Sequence, residues 1–168
     1  MIEINNQTKQ KINSKIIVQL AEDFLRVYKK SAWSVSLALV GLTRIKQLNR
    51  DYRGINKATD VLSFVNESDS NAAGLNAPGE TIKQKYLGEI VINLAETVKT
   101  NKYKVMLGEI GLDFKKYGQK PKAGRRDNYI FYFLLIHGLL HLVGYDDATE
   151  KGRLEMMQLG KKFLAKYL

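Results

Sequence analysis

The chain has no cysteine among its 168 residues, and this absence limits the chemistry available to it. Disulfide bonds, iron–sulfur clusters and thiolate zinc sites are all excluded. The lack of cysteine also agrees with a reducing cytosolic compartment. Any metal ion that this protein binds must therefore be held by nitrogen and oxygen atoms.

Long hydrophobic runs and targeting signals are missing as well. The N-terminal sequence MIEINNQ lacks the basic start and the apolar core of a secretory signal. The longest apolar stretch, residues 129–145, is interrupted by two histidines. It is also shorter than the roughly 20 residues that span a bilayer. We therefore expect a cytoplasmic protein with no membrane partner, and we interpret the apolar stretch as a buried helix.

Acidic residues are fewer than basic ones, with 17 against 27, and the formal net charge is +10. This excess favours a polyanionic partner, because phosphate backbones bind basic surfaces with release of counterions. The cations are concentrated in a basic segment, residues 99–126, which carries nine basic and two acidic side chains. We predict that six of them contact nucleic acid, the alternative being a solvated lysine-rich loop: Lys115, Lys116, Lys120, Lys122, Arg125 and Arg126.

Three aromatic residues interleave with these cations: Tyr103, Phe114 and Tyr117. Single-stranded nucleic acids bind by stacking their bases on exposed aromatic rings beside cations. We therefore expect these rings to be exposed and to contribute to binding of a single strand.

Periodic patterns predict an α+β domain that extends over residues 1–168. Apolar residues four apart predict a helix over 11–30, and alternation predicts a strand over 34–40. Thr43 is expected to cap a helix that extends to about Arg50, with Asn49 facing outward. Strands are also predicted at 61–65 and 86–92, joined by a flexible connection over 66–85.

Three cap residues predict where the later helices begin. Asn93 starts a capping-box pattern, Asp127 is placed to cap the apolar helix, and Thr149 is placed to cap a C-terminal helix. Helices and strands are mixed without a repeated βαβ unit. We therefore expect a single domain with a small mixed sheet that is packed with about five helices.

The chain has only two histidines, His137 and His141, and they lie four residues apart in the apolar stretch. Side chains at this spacing project from one face of a helix, so one divalent ion can contact both imidazoles. Gly144 follows, where a glycine in the left-handed conformation would end the helix and let Asp147 return toward the ion. Three protein ligands with one open position are usual for catalytic zinc.

This spacing copies the HExxHxxGxxH frame of zinc proteases, with one chemical difference. Those proteases use a glutamate after the first histidine as general base, and this chain has Gly138 there. Peptide hydrolysis by that mechanism is therefore disfavoured. Two alternatives stay open on the residues alone: the histidines can be hydrogen-bonded core residues without a metal, and Asp146 can replace Asp147 as ligand.

Three blocks cover most of the chain from Leu48 onward. The first joins LNRDYRG at 48–54 to TDVLSF at 59–64, the second is LGEIVI at 87–92, and the third is HGLLHLVGYD at 137–146. Together they resemble the YbeY family of metal-dependent endoribonucleases. The resemblance implies a metalloprotease-like metal-binding helix and hydrolysis of phosphodiesters in single-stranded RNA. It also implies a setting in rRNA 3′-end maturation and ribosome quality control, with the ribosome or its small subunit as partner.

The resemblance implies a ligand set of His137, His141 and Asp147 for one divalent ion per chain, expected to be zinc. The family usually has a third histidine where this chain has Asp147. A carboxylate lowers the net charge of the site and widens the choice of metal toward manganese or iron. Two other functions remain as alternatives: a zinc metallopeptidase, and a non-catalytic ribosome-associated RNA-binding factor whose metal is structural.

Four further residues receive roles from the matched blocks. Arg53 is the expected catalytic cation, because a guanidinium group can bind two phosphate oxygens at once; the alternative is a surface arginine in a loop or salt bridge. Asp60 is expected either to hold the Arg53 loop or to serve the site directly. Glu89 and Tyr145 are expected to contact the metal ligands, Glu89 as acceptor for the N–H group of a metal-bound histidine, the alternative being that Glu89 is only solvated.

Overall fold

A computed structural model of the chain describes residues 1–67, 85–113 and 128–167. Four strands lie within these residues: β1 (Ile2–Asn6), β2 (Trp33–Val40), β3 (Val61–Val65) and β4 (Lys85–Asn93). The α-helices are α1 (Ser14–Val27), α2 (Leu42–Arg53), α3 (Lys104–Glu109), α4 (Tyr129–Leu142) and α5 (Glu150–Leu164), and a 3₁₀ helix (Thr100–Tyr103) precedes α3. Most of the predicted connection and all six clustered cations lie outside the described residues.

The four strands form one mixed sheet in the order β1-β2-β4-β3. β1 is parallel to β2, and β2 is parallel to β4, whereas β3 is antiparallel to β4. β3 is therefore an edge strand of this sheet. The mixed sheet and the helices packed around it confirm the predicted α+β class.

The sequence patterns do not predict β1. Only Ile2 and Ile4 alternate with polar residues in this short strand, and its partner β2 follows only after α1. Ile2 pairs with Val35 in the parallel register. A parallel pairing across an intervening helix leaves no local signal, so the strand becomes recognisable only when β2 has been placed.

α4 is buried on nearly all sides, as its composition predicts. Eleven of its 14 residues are buried, and it contacts β3, β4, α1 and α5. A helix without a polar face can be stable in water only when other elements surround it. Within the described residues, no helix combines the length and the apolar character needed to cross a membrane.

Gly138 brings α4 close to the sheet. A Cβ atom at this position would lie 2.8 Å from Cγ2 and 3.1 Å from Cδ1 of Ile90. Ile90 is fully buried in β4, and close-packed interiors leave such a side chain little space to move. The glycine therefore sets the separation between helix and sheet, and with it the position of the neighbouring His137.

α2 packs against the opposite face of the sheet. Ile45 of this helix belongs to a second, smaller cluster with Ala38, Val40, Leu62 and Val91. Successive strand residues point to opposite faces, so Val91 faces α2 while Ile90 faces α4. The sheet thus separates the core around α4 from the surface that α2 covers.

Of the predicted helix starts, the one at Thr43 is wrong and the one at Thr149 is confirmed. α2 begins at Leu42 after Gly41 rather than after Thr43, because β2 ends at Val40 and the chain enters the helix at once. Asn128 caps α4 by accepting a hydrogen bond from Phe131 N–H at 3.0 Å, and the predicted cap, Asp127, lies outside the described residues. Thr149 caps α5 as predicted, and its hydroxyl oxygen accepts from Gly152 N–H at 3.1 Å.

No helix opens at the capping-box pattern of residues 93–96. Asn93 Oδ1 accepts from Ala95 N–H at 3.1 Å, and Asn93 Nδ2 donates to the Thr59 carbonyl at 3.2 Å. The next helical residues begin only at Thr100. The prediction is wrong because the asparagine stabilises a turn and fastens the segment before β3.

The expectation that Asn49 faces outward is also wrong, because it is only 3% exposed. Its Nδ2 donates to the Lys57 carbonyl at 2.6 Å, and its own carbonyl accepts from Ile55 N–H at 3.2 Å. α2 continues past Arg50 and ends at Arg53, and the following Gly54 has a left-handed φ of +70°. Asn49 therefore holds the loop that follows Arg53.

Replacing Gly138 with alanine should lower the free energy of unfolding by about 1–3 kcal/mol, because the new methyl group overlaps Ile90 in a filled core. The matched control is Gly108→Ala in α3, where no atom lies within 4 Å of the added Cβ. Alanine there should raise stability by up to about 1 kcal/mol through helix propensity. Urea denaturation followed by circular dichroism measures both variants. Equal effects at the two positions would show that Gly138 does not limit the packing.

Candidate metal centre

His137 and His141 lie next to each other near the end of α4. Their Nε2 atoms are 3.2 Å apart, and their ring centres are 4.7 Å apart. The side chains are 15% and 24% exposed, so neither is sealed in the hydrocarbon core. Both Nε2 atoms converge on one point, which is the arrangement expected for two ligands of one ion.

The turn after α4 directs the chain back toward these histidines. Gly144 has a φ of +100°, its N–H donates to the His141 carbonyl at 3.0 Å, and Tyr145 N–H donates to the Leu140 carbonyl at 3.0 Å. This pair of hydrogen bonds is typical of a helix that ends at a left-handed glycine. The predicted role of Gly144 in ending the helix is confirmed.

Asp147 approaches both histidines from this turn. Its Oδ2 lies 3.3 Å from Nε2 of His137, and its Oδ1 lies 3.8 Å from Nε2 of His141. The neighbouring Asp146 is engaged elsewhere, since its Oδ1 accepts from Ala148 N–H at 3.2 Å. The structure therefore brings Asp147, and not Asp146, to the histidine pair.

The three side chains fit a single divalent ion. One donor atom from each residue lies within 4.8 Å of the other two. Zinc bonds of about 2.0–2.1 Å in tetrahedral geometry place neighbouring donors about 3.3 Å apart. The 3.2 Å between the two Nε2 atoms and the 3.3 Å from His137 Nε2 to Asp147 Oδ2 are close to this value, and the other carboxylate oxygen, Oδ1, lies 3.8 Å from His141 Nε2. Two nitrogens and a carboxylate suit zinc, and they also accept manganese or iron.

A hydrogen bond at His141 and the burial of His137 prepare the two imidazoles to act as ligands. Nδ1 of His141 lies 3.0 Å from the Tyr145 carbonyl oxygen, and an N–H donated there leaves a lone pair on Nε2. Burial lowers the pKa of His137, and the neighbouring His141 lowers it further, although Asp147 and Asp60 act in the opposite direction. The neutral imidazole that results is the form that binds a metal.

The three candidate ligands line a cleft with a volume of about 780 Å³. Arg53, the last residue of α2, lines the same cleft and is exposed. Its guanidinium has no hydrogen bond or ion pair with any residue that the structure describes. The described contacts thus leave this cation available to a ligand in the cleft and provide no salt bridge for it.

Asp60 also lines the cleft, but it is bound to the 3₁₀ helix and not to Arg53. It accepts a hydrogen bond of 2.8 Å from the Tyr103 hydroxyl and forms an ion pair with Lys102. Burial, followed by the charge of Asp60, raises the pKa of Tyr103. These contacts fasten the residue before β3 to the segment that precedes α3.

Glu89 is not brought to the histidines. It lines a second cavity of about 280 Å³, together with Val91 and Arg44, on the face of the sheet that α2 covers. A side chain on that face cannot reach an imidazole of α4. The expected hydrogen bond from a histidine to Glu89 is therefore absent, because β4 directs this residue to the opposite side.

The expectation of exposed rings in the basic segment is wrong for Tyr103, which is 4% exposed. Its ring belongs to the main core, and its hydroxyl is bound to Asp60. Phe114 and Tyr117 lie outside the described residues. A stacking surface built on Tyr103 is therefore excluded.

Sequence reasoning misses Arg153, which lines the cleft together with Asp147. Its Nη1 lies 2.8 Å from Glu109 Oε2 in α3 and 3.2 Å from Met157 Sδ in α5. The ion pair with Glu109 joins residues 44 positions apart, so no local pattern indicates it. The sequence signal that could have identified Arg153 is its position in the first turn of the predicted C-terminal helix.

Comparison with known proteins identifies the family. The sequence model of the family described as Endoribonuclease YbeY matches residues 3–168. The chain belongs to this family. An Endoribonuclease YbeY of Brevibacillus brevis is 37% identical over 131 residues, which cover 77% of this chain and 72% of the relative. Another, of Syntrophomonas wolfei, is 33% identical over 168 residues, which cover 97% and 94%.

A solution structure of a protein from Thermotoga maritima is also similar to this chain. It is 27% identical, and the alignment covers 99% of this chain and 88% of that chain with a TM-score of 0.48.

Membership in the YbeY family and the packing of Gly138 both oppose the peptidase alternative. In the zinc protease frame this position carries the glutamate that acts as general base. Here a side chain at position 138 would collide with Ile90, since even its Cβ atom would lie 2.8 Å from that residue. The missing general base is therefore a consequence of how closely α4 lies on the sheet.

Tyr103→Phe should lower the free energy of unfolding at neutral pH by about 1–2 kcal/mol, because it removes a buried donor to a carboxylate. It should also change how the free energy of unfolding depends on pH. The pKa of Tyr103 is raised above its ordinary value of 10.0, so the native protein keeps a proton that the unfolded chain releases. Wild-type stability should then fall more steeply than that of the variant as pH rises above about 10.

Urea denaturation over a series of alkaline pH values measures this difference. Tyr52→Phe is the matched control, because Tyr52 is 69% exposed and its hydroxyl has no partner among the described residues. This control should change stability by less than about 0.5 kcal/mol. Parallel pH profiles for wild type and Tyr103→Phe would contradict the proposed role of the Asp60 contact.

Proposed function

We propose that this chain is a metal-dependent endoribonuclease that hydrolyses phosphodiesters in single-stranded RNA, with one divalent ion per chain, expected to be zinc. The observation that carries the proposal is the convergence of His137, His141 and Asp147 in a cleft that also contains Arg53, in a member of the Endoribonuclease YbeY family. We further propose that it acts in the cytoplasm, in rRNA 3′-end maturation and ribosome quality control.

The metal ligands have a defined part in this chemistry. A bound divalent ion supplies Lewis acidity toward water or a phosphoryl oxygen. His137 and His141 would hold it as neutral donors, and Asp147 would contribute one negative charge. The charge remaining at the site is positive, which favours approach of a phosphodiester anion. The carboxylate in place of a third histidine weakens this charge without abolishing it.

Arg53 is proposed to bind the phosphate that is cleaved. Guanidinium groups bind two phosphate oxygens through parallel N–H donors, and stabilisation of this kind increases as charge develops in the transition state. Arg53 is suited to this role because it lines the ligand cleft and has no partner among the described residues. Asn49 holds the loop behind it through the Lys57 carbonyl.

The basic character of the chain supports an RNA partner. The net charge of +10 favours binding of phosphate backbones, and the six clustered cations, residues 115–126, are proposed RNA contacts. Binding alone does not distinguish an enzyme from a non-catalytic RNA-binding factor, because both would show salt-sensitive affinity. Metal-dependent cleavage separates the two functions.

His141→Ala should abolish stable metal binding and RNA cleavage, because it removes one of three protein donors. Elemental analysis measures metal content, and a labelled single-stranded RNA measures cleavage. The same variant also excludes contaminating nuclease as the source of activity. Unchanged metal content together with unchanged cleavage would remove this site from the proposed function.

Two comparisons make the ligand test specific. Circular dichroism and thermal denaturation show whether His141→Ala remains folded. Asp146→Asn is the matched control for the carboxylate, because Asp146 neighbours the ligand but accepts a hydrogen bond from Ala148 N–H, which asparagine can also accept. Metal content should be retained in Asp146→Asn and reduced in Asp147→Asn.

Arg53→Ala should retain the metal but lower kcat/KM for single-stranded RNA by about a hundredfold. The matched control is Arg50→Ala, since Arg50 lies on the same helix, contacts Asp51 and does not line the cleft. Arg53→Lys should recover little activity, because lysine keeps the charge but lacks the planar fork. Loss of metal from Arg53→Ala would instead assign this residue a structural role.

A further inference from the structure

Tyr52 is an exposed aromatic residue in the cleft for which the proposed mechanism has no use. Its side chain is 69% exposed, and it lines the cleft together with Arg53 and the three candidate ligands. A single exposed ring is ordinary on a protein surface. What distinguishes Tyr52 is the chemistry of its neighbours.

The ring of Tyr52 is held on one side by an aromatic contact. Phe64 of β3 lies with its ring centre 5.0 Å from that of Tyr52 at an interplanar angle of 62°, an edge-on contact. Phe64 is only partly buried and lines the same cleft. A ring whose rotation is already restricted by a neighbour loses less conformational entropy when a ligand binds than a freely rotating one. Tyr52 is therefore suited to serve as a platform, that is, a flat surface on which a planar group can stack.

Open space lies on two sides of this aromatic pair. Tyr52 and Phe64 line both the ligand cleft of about 780 Å³ and the second cavity of about 280 Å³. The two rings thus form the boundary between the cavities. On the cleft side the nearest cation in the sequence is Arg53, and on the other side Arg44 and the acidic Glu89 line the space. Three carboxylates also line the cleft, but Arg53 has no partner among the described residues whereas Arg44 donates to Gln47 at 3.1 Å, so a base whose neighbouring phosphate needs a cation fits the cleft side.

We propose that Tyr52 stacks one nucleobase of single-stranded RNA while Arg53 binds a neighbouring phosphate, so that Tyr52 contributes to the preference for single strands. This inference rests on the proposed function. Every base offers a flat π face, and stacking on tyrosine is a common means of holding unpaired bases. In a duplex both faces of a base are covered by its neighbours, so a paired strand cannot use this platform.

The test is a double-mutant cycle between the ring and single bases of the RNA. Binding of non-cleavable 2′-O-methyl single strands, each with one abasic position, is measured by fluorescence anisotropy for wild type and for Tyr52→Ala. In wild type, one abasic position should weaken binding by at least about fivefold, which corresponds to loss of one stacked base. In Tyr52→Ala, removal of the base at that position should no longer change the affinity. Tyr52→Trp should restore the dependence.

Leu42→Ala is the matched control. It truncates another exposed apolar residue of α2, 48% exposed, at the opposite end of the helix and away from the cleft. It should leave every abasic effect unchanged. Thermal denaturation of all variants shows that the fold is retained, and a duplex of the same sequence should bind wild type and Tyr52→Ala equally.

The outcomes separate this inference from the function on which it rests. If wild type cleaves single-stranded RNA with metal and the abasic effects are the same in wild type and Tyr52→Ala, only the stacking inference is overturned. If wild type neither binds nor cleaves single-stranded RNA, the proposed function fails and the stacking inference fails with it. A uniform loss of affinity at all positions in Tyr52→Ala would also contradict base stacking, since it would indicate general disturbance of the cleft.

Discussion

The close contact between Gly138 and Ile90 is the constraint on which the site depends. α4 has almost no polar surface, so burial of its apolar side chains against the sheet and the neighbouring helices drives its position. The missing side chain at position 138 lets the helix approach β4. Because His137 directly precedes Gly138, this placement also sets the position of His137, which lines the cleft beside β3. A bulkier residue would collide with Ile90 and move the helix, and His137 with it.

The remaining geometry of the site is fixed by hydrogen bonds and close packing in the turn after α4. The left-handed Gly144 ends the helix, and the Tyr145 carbonyl orients the ring of His141. Gly152 permits α5 to start against this turn, because a Cβ atom there would lie 2.3 Å from the Asp146 carbonyl oxygen. Asp147 is thus held between two helices whose relative position the core already defines.

What the sequence could predict was local. The histidine spacing, the helix-ending Gly144 and the cap at Thr149 depend on residues within one or two turns of each other, so their periodicity is visible in the sequence. Features that depend on distant partners were missed or wrong. The ring of Tyr103 packs in the main core while its hydroxyl binds Asp60, and β1 exists because β2 pairs with it. The face on which Glu89 lies depends on which helix covers which side of the sheet, and no local pattern encodes that choice.

The way that His137, His141 and Asp147 are held bears on whether a metal bound there would be structural or catalytic. In a domain folded by its metal, the ligand-bearing segments lack other stable contacts, so that binding energy is folding energy. Here the segments that carry His137, His141 and Asp147 have contacts that involve no ion: burial of α4, the turn at Gly144 and the cap of α5. Three protein donors also leave one tetrahedral position open. A preformed site with an open position, beside a cation that has no described partner, fits the proposed hydrolysis better than a role in folding.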